Sequence, residues 1–144
     1  MTTLRIAAAA VAALALAGCA IKQQVTPVTA ASGTTMCVIQ NPDTRAGFLE
    51  TYRNSLAARG FAVKLLPASA STSDCPLTST YTGIWRWDLA LYMAYAEIKV
   101  YSGGKAAGEA KYDSLAGSGN LNKFIDAEKK IDELVGLLFP KGTK

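Results

Sequence analysis

Between Thr80 and Tyr112 three stretches alternate in polarity with a period of two, although the run from Leu89 could begin helical, and this restricts the fold more than any other feature. Successive side chains of a strand point to opposite faces, so such a stretch sits well in a sheet and poorly on a helix. Tyr81, Gly83, Trp85 and Trp87 fall on one face, and Thr80, Thr82, Ile84, Arg86 and Asp88 on the other, so a strand is expected from Ser79 onward. Ala94, Ala96, Ile98 and Val100 alternate with Tyr95, Glu97, Lys99 and Tyr101, which makes Leu91 to Tyr101 a second strand. Ser102-Gly103-Gly104 reads as a hairpin turn, because glycine reaches positive φ without a steric penalty. Beyond it Ala106, Gly108, Ala110 and Tyr112 share a face of mostly small side chains, suited to close docking of a helix or another strand, with Lys105, Ala107, Glu109, Lys111 and Asp113 opposite.

The flanking segments supply two helices and two more strands. Met36 to Gln40 reads as a short buried strand, and Phe61 to Leu66 as another, stopped by Pro67. Between them Asn41 is expected to cap a helix with Pro42 at its first position and Asp43 at the positive end of its dipole. Leu49, Tyr52 and Leu56, with Phe48 beside them, form its apolar side, and Gly60 ends it as a left-handed cap. Ala68 to Asp74 is a loop. After Gly117-Ser118-Gly119-Asn120 a last helix is expected, its apolar stripe made of Leu121, Phe124, Ile125, Ile131, Leu134, Val135 and Leu138, with Pro140 as its stop. The order implies an α+β domain: a mainly antiparallel sheet of about five strands with two helices packed on one face. No internal repeat is present.

The N-terminus carries an address. Arg5 precedes an uncharged run from Ile6 to Ala17, of signal-peptide length and too short to span a bilayer comfortably. Leu16-Ala17-Gly18-Cys19 closes that run and reads as a lipobox, the alternative being an ordinary secretory signal in which Cys19 is incidental. Residues 1–18 are then a lipoprotein signal peptide, and Cys19 is the lipid attachment site, bearing a diacylglycerol and an N-acyl chain and no other cofactor. Two chains burying methylenes at about 0.8 kcal/mol each anchor stably where one would be marginal. Ala20 follows instead of an inner-membrane retention Asp, so the expected location is the inner leaflet of the outer membrane, facing the periplasm. Residues 19–35, rich in Thr, Ala, Gln and Ser, read as a flexible tether, and 36–144 as a single periplasmic domain.

Assigning Cys19 to lipid leaves Cys37 and Cys75 as an even pair, and in an oxidising compartment two such thiols are expected to join as a disulfide. The loop so closed is long enough for stabilisation on the order of 3–4 kcal/mol in the chain-entropy account. A metal or redox role is disfavoured by the absence of His and of a C-x-x-C spacing.

Composition argues against several functions. The formal net charge of +4 is mild and unclustered, so no nucleic-acid partner is expected. With no His in the chain the commonest general base is missing, and neither Ser55 with Lys64 nor Ser102 with Lys105 has a recognisable Ser-Lys spacing. No catalytic residue is assigned, and the expectation is a protein that is not an enzyme. Gly117-Ser118-Gly119 reads as a plain loop, since no phosphate-binding pattern follows it. Asp126 and Glu133, interleaved with Lys129 and Lys130, read as a solvated helix face and no metal is expected.

Together and in order, Cys37-Val38-Ile39-Gln40-Asn41-Pro42, Cys75-Pro76, Ser79-Thr80-Tyr81-Thr82, Trp87-Asp88-Leu89-Ala90 and Ala96-Glu97-Ile98-Lys99-Val100-Tyr101 resemble the Sbal lipoprotein family, small proteobacterial envelope lipoproteins of undetermined function. The resemblance implies a lipid-anchored sheet-and-helix domain and supports the pairing of Cys37 with Cys75. It carries no catalytic residues.

The remaining candidate site is the aromatic face of Tyr81, Trp85 and Trp87. Under the helices it is core; exposed, it is a binding surface, because Trp and Tyr give large contact area at small entropic cost. Two functions follow. The first is a non-catalytic interaction or assembly module of the cell envelope, held to the membrane by lipid and docking on an envelope protein partner. The alternative is a binding module for a lipid or other small envelope ligand, which would need a deep apolar cavity between helices and sheet.

Overall fold

In the computed structural model, which describes residues 20–30 and 33–141, the alternating segments form the centre of one sheet. In chain order the elements are β1 (Lys22–Thr26), β2 (Thr35–Ile39), α1 (Ala46–Ala58), β3 (Ala62–Leu66), β4 (Leu77–Asp88), β5 (Ala90–Ser102), β6 (Lys105–Asp113), a 3₁₀ turn (Leu121–Lys123) and α2 (Ala127–Leu138). The six strands are ordered β1-β6-β5-β4-β2-β3. Three neighbouring pairs are antiparallel, but β2 runs parallel to both β3 and β4, so the α+β sheet is mixed and has one strand more than expected. The parallel pairing of β2 with β3 arises because a helix joins them; a strand that leaves through a helix returns in its original direction.

Both helices cover the same face. Phe48, Tyr52 and Leu56, one per turn of α1, and Ile131, Leu134, Val135 and Leu138 of α2 meet Met36, Val38, Tyr81, Met93, Ala96, Ile98, Val100, Ala110 and Tyr112 from the sheet. The Tyr52 hydroxyl donates to Ser79 Oγ at 2.8 Å, and burial holds its pKa well above the ordinary phenol value, with the Ser79 hydrogen bond opposing it only in part. The small-residue face of β6 does admit close docking. A Cβ on Gly108 would fall on Val28 Cγ2 and lie 2.6 Å from the Thr26 carbonyl oxygen, so the chain leaving β1 passes directly over that glycine.

On the opposite face Cys37, Ile39 and Leu66 make a second, smaller apolar cluster, covered by Ala70 and Cys75 from the loop after β3. Cys37 and Cys75 are joined as a disulfide with Cα atoms 6.2 Å apart, within the ordinary range.

Three expectations are corrected. The stretch read as a flexible tether holds β1, which pairs with β6 from Lys22↔Asp113 to Thr26↔Glu109. Gln23 also donates to Glu133 of α2 at 2.9 Å and accepts from Lys130 at 3.1 Å, and Ile21 and Val25 pack on the core. Two apolar residues around a polar one are too thin a pattern to announce a strand; pairing with a partner far along the chain creates it. The first helix starts at Ala46, not Pro42. Asn41 instead makes a turn, its Oδ1 accepting from the Asp43 N–H, because its own N–H and Nδ2 are committed to the Tyr81 hydroxyl and carbonyl. The last helix starts at Ala127, where Asp126 Oδ1 caps by accepting from the Lys129 N–H, so Leu121 and Phe124 do not belong to its stripe. Gly60, at φ 89°, follows α1 in the left-handed conformation expected.

The helices are tied across their exposed side. The Ser55 hydroxyl donates to Asp132 Oδ1, and Arg59 Nη1 reaches the same oxygen at 2.7 Å. The Arg59 guanidinium first, and the Ser55 hydroxyl second, hold the Asp132 carboxyl below its usual range. A carboxylate with a depressed folded pKa stabilises the fold above its unfolded pKa, and that contribution is lost as pH falls through the folded value. Asp132→Asn is therefore expected to cost up to about 1 kcal/mol at neutral pH, the ceiling for so exposed a pair, and the difference should shrink below about pH 4. Urea midpoints of variant and parent at pH 7 and pH 3 check this; a difference unchanged by pH would refute it.

Candidate functional site

The β4–β5 hairpin is longer than its neighbours. β6 pairs with β5 only up to Tyr95↔Asp113, and β2 pairs with β4 only at Thr78 and Ser79. Beyond Ile84↔Tyr95 the two strands continue alone as Trp85↔Met93, Arg86↔Tyr92, Trp87↔Leu91 and Asp88↔Ala90, with Ala94 bulged out of register. This overhang turns at Leu89, a non-glycine residue at φ 61°. Leucine in the left-handed region is unfavourable by roughly 1–2 kcal/mol, where glycine or asparagine would cost less.

Tyr81, Trp85 and Trp87 share a face, as the alternation requires, but they do not share an environment. Tyr81 is buried and stacks on Phe48 with ring centroids 5.2 Å apart. Trp85 is half-buried, edge-on to Phe48 at 6.4 Å, with the Arg45 guanidinium 5.6 Å from its ring. Trp87 lies past the end of the helices and is 75% exposed. The helices therefore decide, along a single strand, that Tyr81 is core and Trp87 is surface.

The sequence missed the rest of this surface. Leu89 is 90% exposed at the turn, and Leu91 stands exposed opposite Trp87. The 3₁₀ turn adds exposed Leu121 and Phe124. Two contacts hold that turn to the hairpin. Phe124 meets Tyr92 edge-to-face at 5.3 Å, and the Lys123 ammonium pairs with Asp88. The side chain of Lys123 is covered, with its ammonium 5.4 Å from the Tyr92 ring and 5.3 Å from that of Phe124. The hydrogen bond to Asp88 raises its pKa and keeps it charged. Leu121 and Phe124 fit a helical stripe by spacing, and Leu89 looks like an ordinary strand residue, so only the tertiary structure shows them exposed, Phe124 against the hairpin face opposite to Trp87.

The other candidates are placed as follows. Cys19 lies outside the described residues. Ser55 is engaged with Asp132 and Arg59. Gly117-Ser118-Gly119 precedes the 3₁₀ turn and not α2, so it offers no helix N-terminus to an anion. Asp126 caps α2, and Glu133 is bonded to Lys130 and Gln23. Among the described residues no group of three or more His, Cys, Asp or Glu is clustered, and no helix is long and apolar enough to cross a membrane. The space between helices and sheet is occupied by Phe48, Tyr52, Tyr112, Leu134 and Leu138, each at most 2% exposed. A recess of about 700 Å³ is open to the surface beside Asn41, Arg45 and Tyr81.

No family model matches the chain, and no curated protein matches it. Two solved structures are similar in fold. The PelC dodecamer from Paraburkholderia phytofirmans in space group P6 is 15% identical, with a TM-score of 0.57 over 83% of this chain and 98% of that one. A point variant of the same dodecamer in space group C2 is 14% identical, with a TM-score of 0.55 over 83% of this chain and 95% of that one. At these identities the likeness is one of fold.

Proposed function

We propose that this chain is a lipid-anchored protein of the outer membrane whose periplasmic domain is a non-catalytic assembly module. The observation that carries this reading is a sheet with two outer strands, β1 and β3, each pairing with a single neighbour among the described residues, over a core filled by Phe48, Tyr52, Tyr112, Leu134 and Leu138. Support for the anchor comes from the Leu16-Ala17-Gly18-Cys19 motif, and for the absence of catalysis from the missing His and the committed Ser55. The first partner to test is a second copy of the chain. The two solved structures compared above are described as dodecamers, and β1 and β3 present two different outer edges. Two different edges joined head to tail generate a ring when the rotation closes.

Light scattering and chemical crosslinking of the detergent-solubilised full chain test the assembly. A discrete multimer is expected; a monomer across the accessible concentration range would overturn self-assembly. For the anchor, Cys19→Ser is expected to leave an uncleaved or soluble precursor, because the thiol is the acyl acceptor. Recovery of that variant in outer-membrane fractions at the wild-type mass would refute the lipid reading.

A further inference from the structure

We propose that the β4–β5 hairpin tip is a membrane wedge, entering the headgroup region of the same leaflet that holds the lipid on Cys19. The proposal rests on the anchor reading above. Across the sheet, Lys22 of β1 lies level with Asp113, Tyr95 and Ile84. β1 runs from that level toward the Lys99 and Thr80 end, so the chain before Lys22 leaves the sheet on the side where the hairpin overhangs. Trp85 to Asp88 carry the hairpin roughly 13 Å past that level, at about 3.4 Å per residue.

The lipid leash is no longer than this overhang. Ile21 packs against the core and beside Gly117, so the chain is held up to that residue. Only two peptide units separate it from Cys19, a reach of about 7 Å, or roughly 10 Å measured from Lys22. A membrane surface that receives the acyl chains therefore cannot stand clear of the tip. Whatever occupies the tip must be wetted by headgroups.

The chemistry of the tip fits that depth. Trp87 and Leu91 on one face of the tip, Leu89 at its turn, and Phe124 on the 3₁₀ turn packed against Tyr92 on the other face present exposed apolar side chains beside the Asp88–Lys123 pair, and the indole is the side chain enriched where acyl chains meet headgroups. Arg86 and Lys22, both exposed, lie where headgroup phosphates would be. Leu89 occupies the unfavourable φ at the turn of the hairpin while 90% exposed, and burial of its side chain in lipid would offset that cost.

The chain has two tryptophans, so Trp87 can be read by difference. Full-length lipidated protein and its Trp87→Phe variant, which folds because the site is surface, are reconstituted into phosphatidylethanolamine and phosphatidylglycerol vesicles with plain or brominated acyl chains, and flotation is scored separately. The wild-type emission is expected to fall roughly twofold or more in brominated vesicles, as for an interfacial indole, whereas Trp87→Phe, reporting Trp85 alone, should change little. Protein that floats with Trp87 unquenched and open to aqueous acrylamide overturns the wedge and leaves the anchor standing. Protein that floats with Trp87 shielded from both quenchers places a second copy on the tip, and also overturns it. Quenching that persists in Trp87→Phe does the same, since the signal is then not from the tip. Protein that does not float overturns the anchor reading and this one with it.

Discussion

Phe48→Ala is expected to destabilise the domain by about 3–5 kcal/mol, the cost of removing a large buried ring from a core that relaxes only in part. Phe48 is 1% exposed and is the point at which α1 meets the aromatic face of β4. It stacks on Tyr81, lies edge-on to Tyr52 at 6.5 Å and to Trp85 at 6.4 Å, and its loss would leave three rings around one void. Tyr81 would then hold Asn41 without support beneath it, loosening the turn before α1. With a total stability on the order of 5–15 kcal/mol, such a variant loses a large fraction of it. Trp87→Ala, six positions along the strand from Tyr81 but on the exposed tip, should shift stability by no more than about 0.5 kcal/mol. Equilibrium urea denaturation of the two variants separates core from surface along β4. Equal losses would mean that Trp87 is covered in the isolated protein.

The second large effect concerns the disulfide. Replacing both Cys37 and Cys75 by serine is expected to lower stability by about 3–4 kcal/mol, as the chain-entropy account gives for a sequence separation of 38. The bridge does more than shorten the unfolded chain. It seats the segment from Pro67 to Pro76 over Ile39 and Leu66 on the sheet face that the helices leave uncovered. Without it that segment keeps short local bonds, such as Ser71 N–H to Asp74 Oδ2 at 2.9 Å, and the bond from Gly103 N–H to the Pro76 carbonyl at its far end, and the cluster beneath opens to water. Limited proteolysis should then cut between residues 67 and 76 in the variant and not in the parent. A stability loss below about 1 kcal/mol with that loop still protected would show that apolar packing alone holds the segment.

Where local pattern and tertiary environment agree, the sequence was a sufficient guide. β5 and β6 show their alternation openly because one face is core and the other is water, and Gly103 and Gly104, at φ 57° and 81°, occupy the turn where only a residue without Cβ is at ease. The disulfide was legible from cysteine count once Cys19 was set aside. Where tertiary contacts overrode local preference, the sequence misled. Asn41 has every property of a helix cap, yet Tyr81 claims its backbone and amide, and the helix begins later at Ala46, after Arg45, whose side chain caps nothing. Asp126 caps α2 in its place, although Leu121, Phe124 and Ile125 continue the helical spacing backward without a break.

The sequence by itself determined the α+β class, the strands of the central hairpin and the pairing of Cys37 with Cys75. Each rests on short-range periodicity, a local motif or a count, which a linear chain displays without folding. Only the tertiary structure decided that residues 22–26 form an edge strand, that β2 is parallel to its neighbours, and which aromatic residues are buried. Those depend on what lies across the sheet or beyond the end of a helix. Trp85 and Trp87 carry the same side chain two residues apart on one face; α1 ends its cover between them, and that boundary alone makes one a wall of the core and the other an exposed tip.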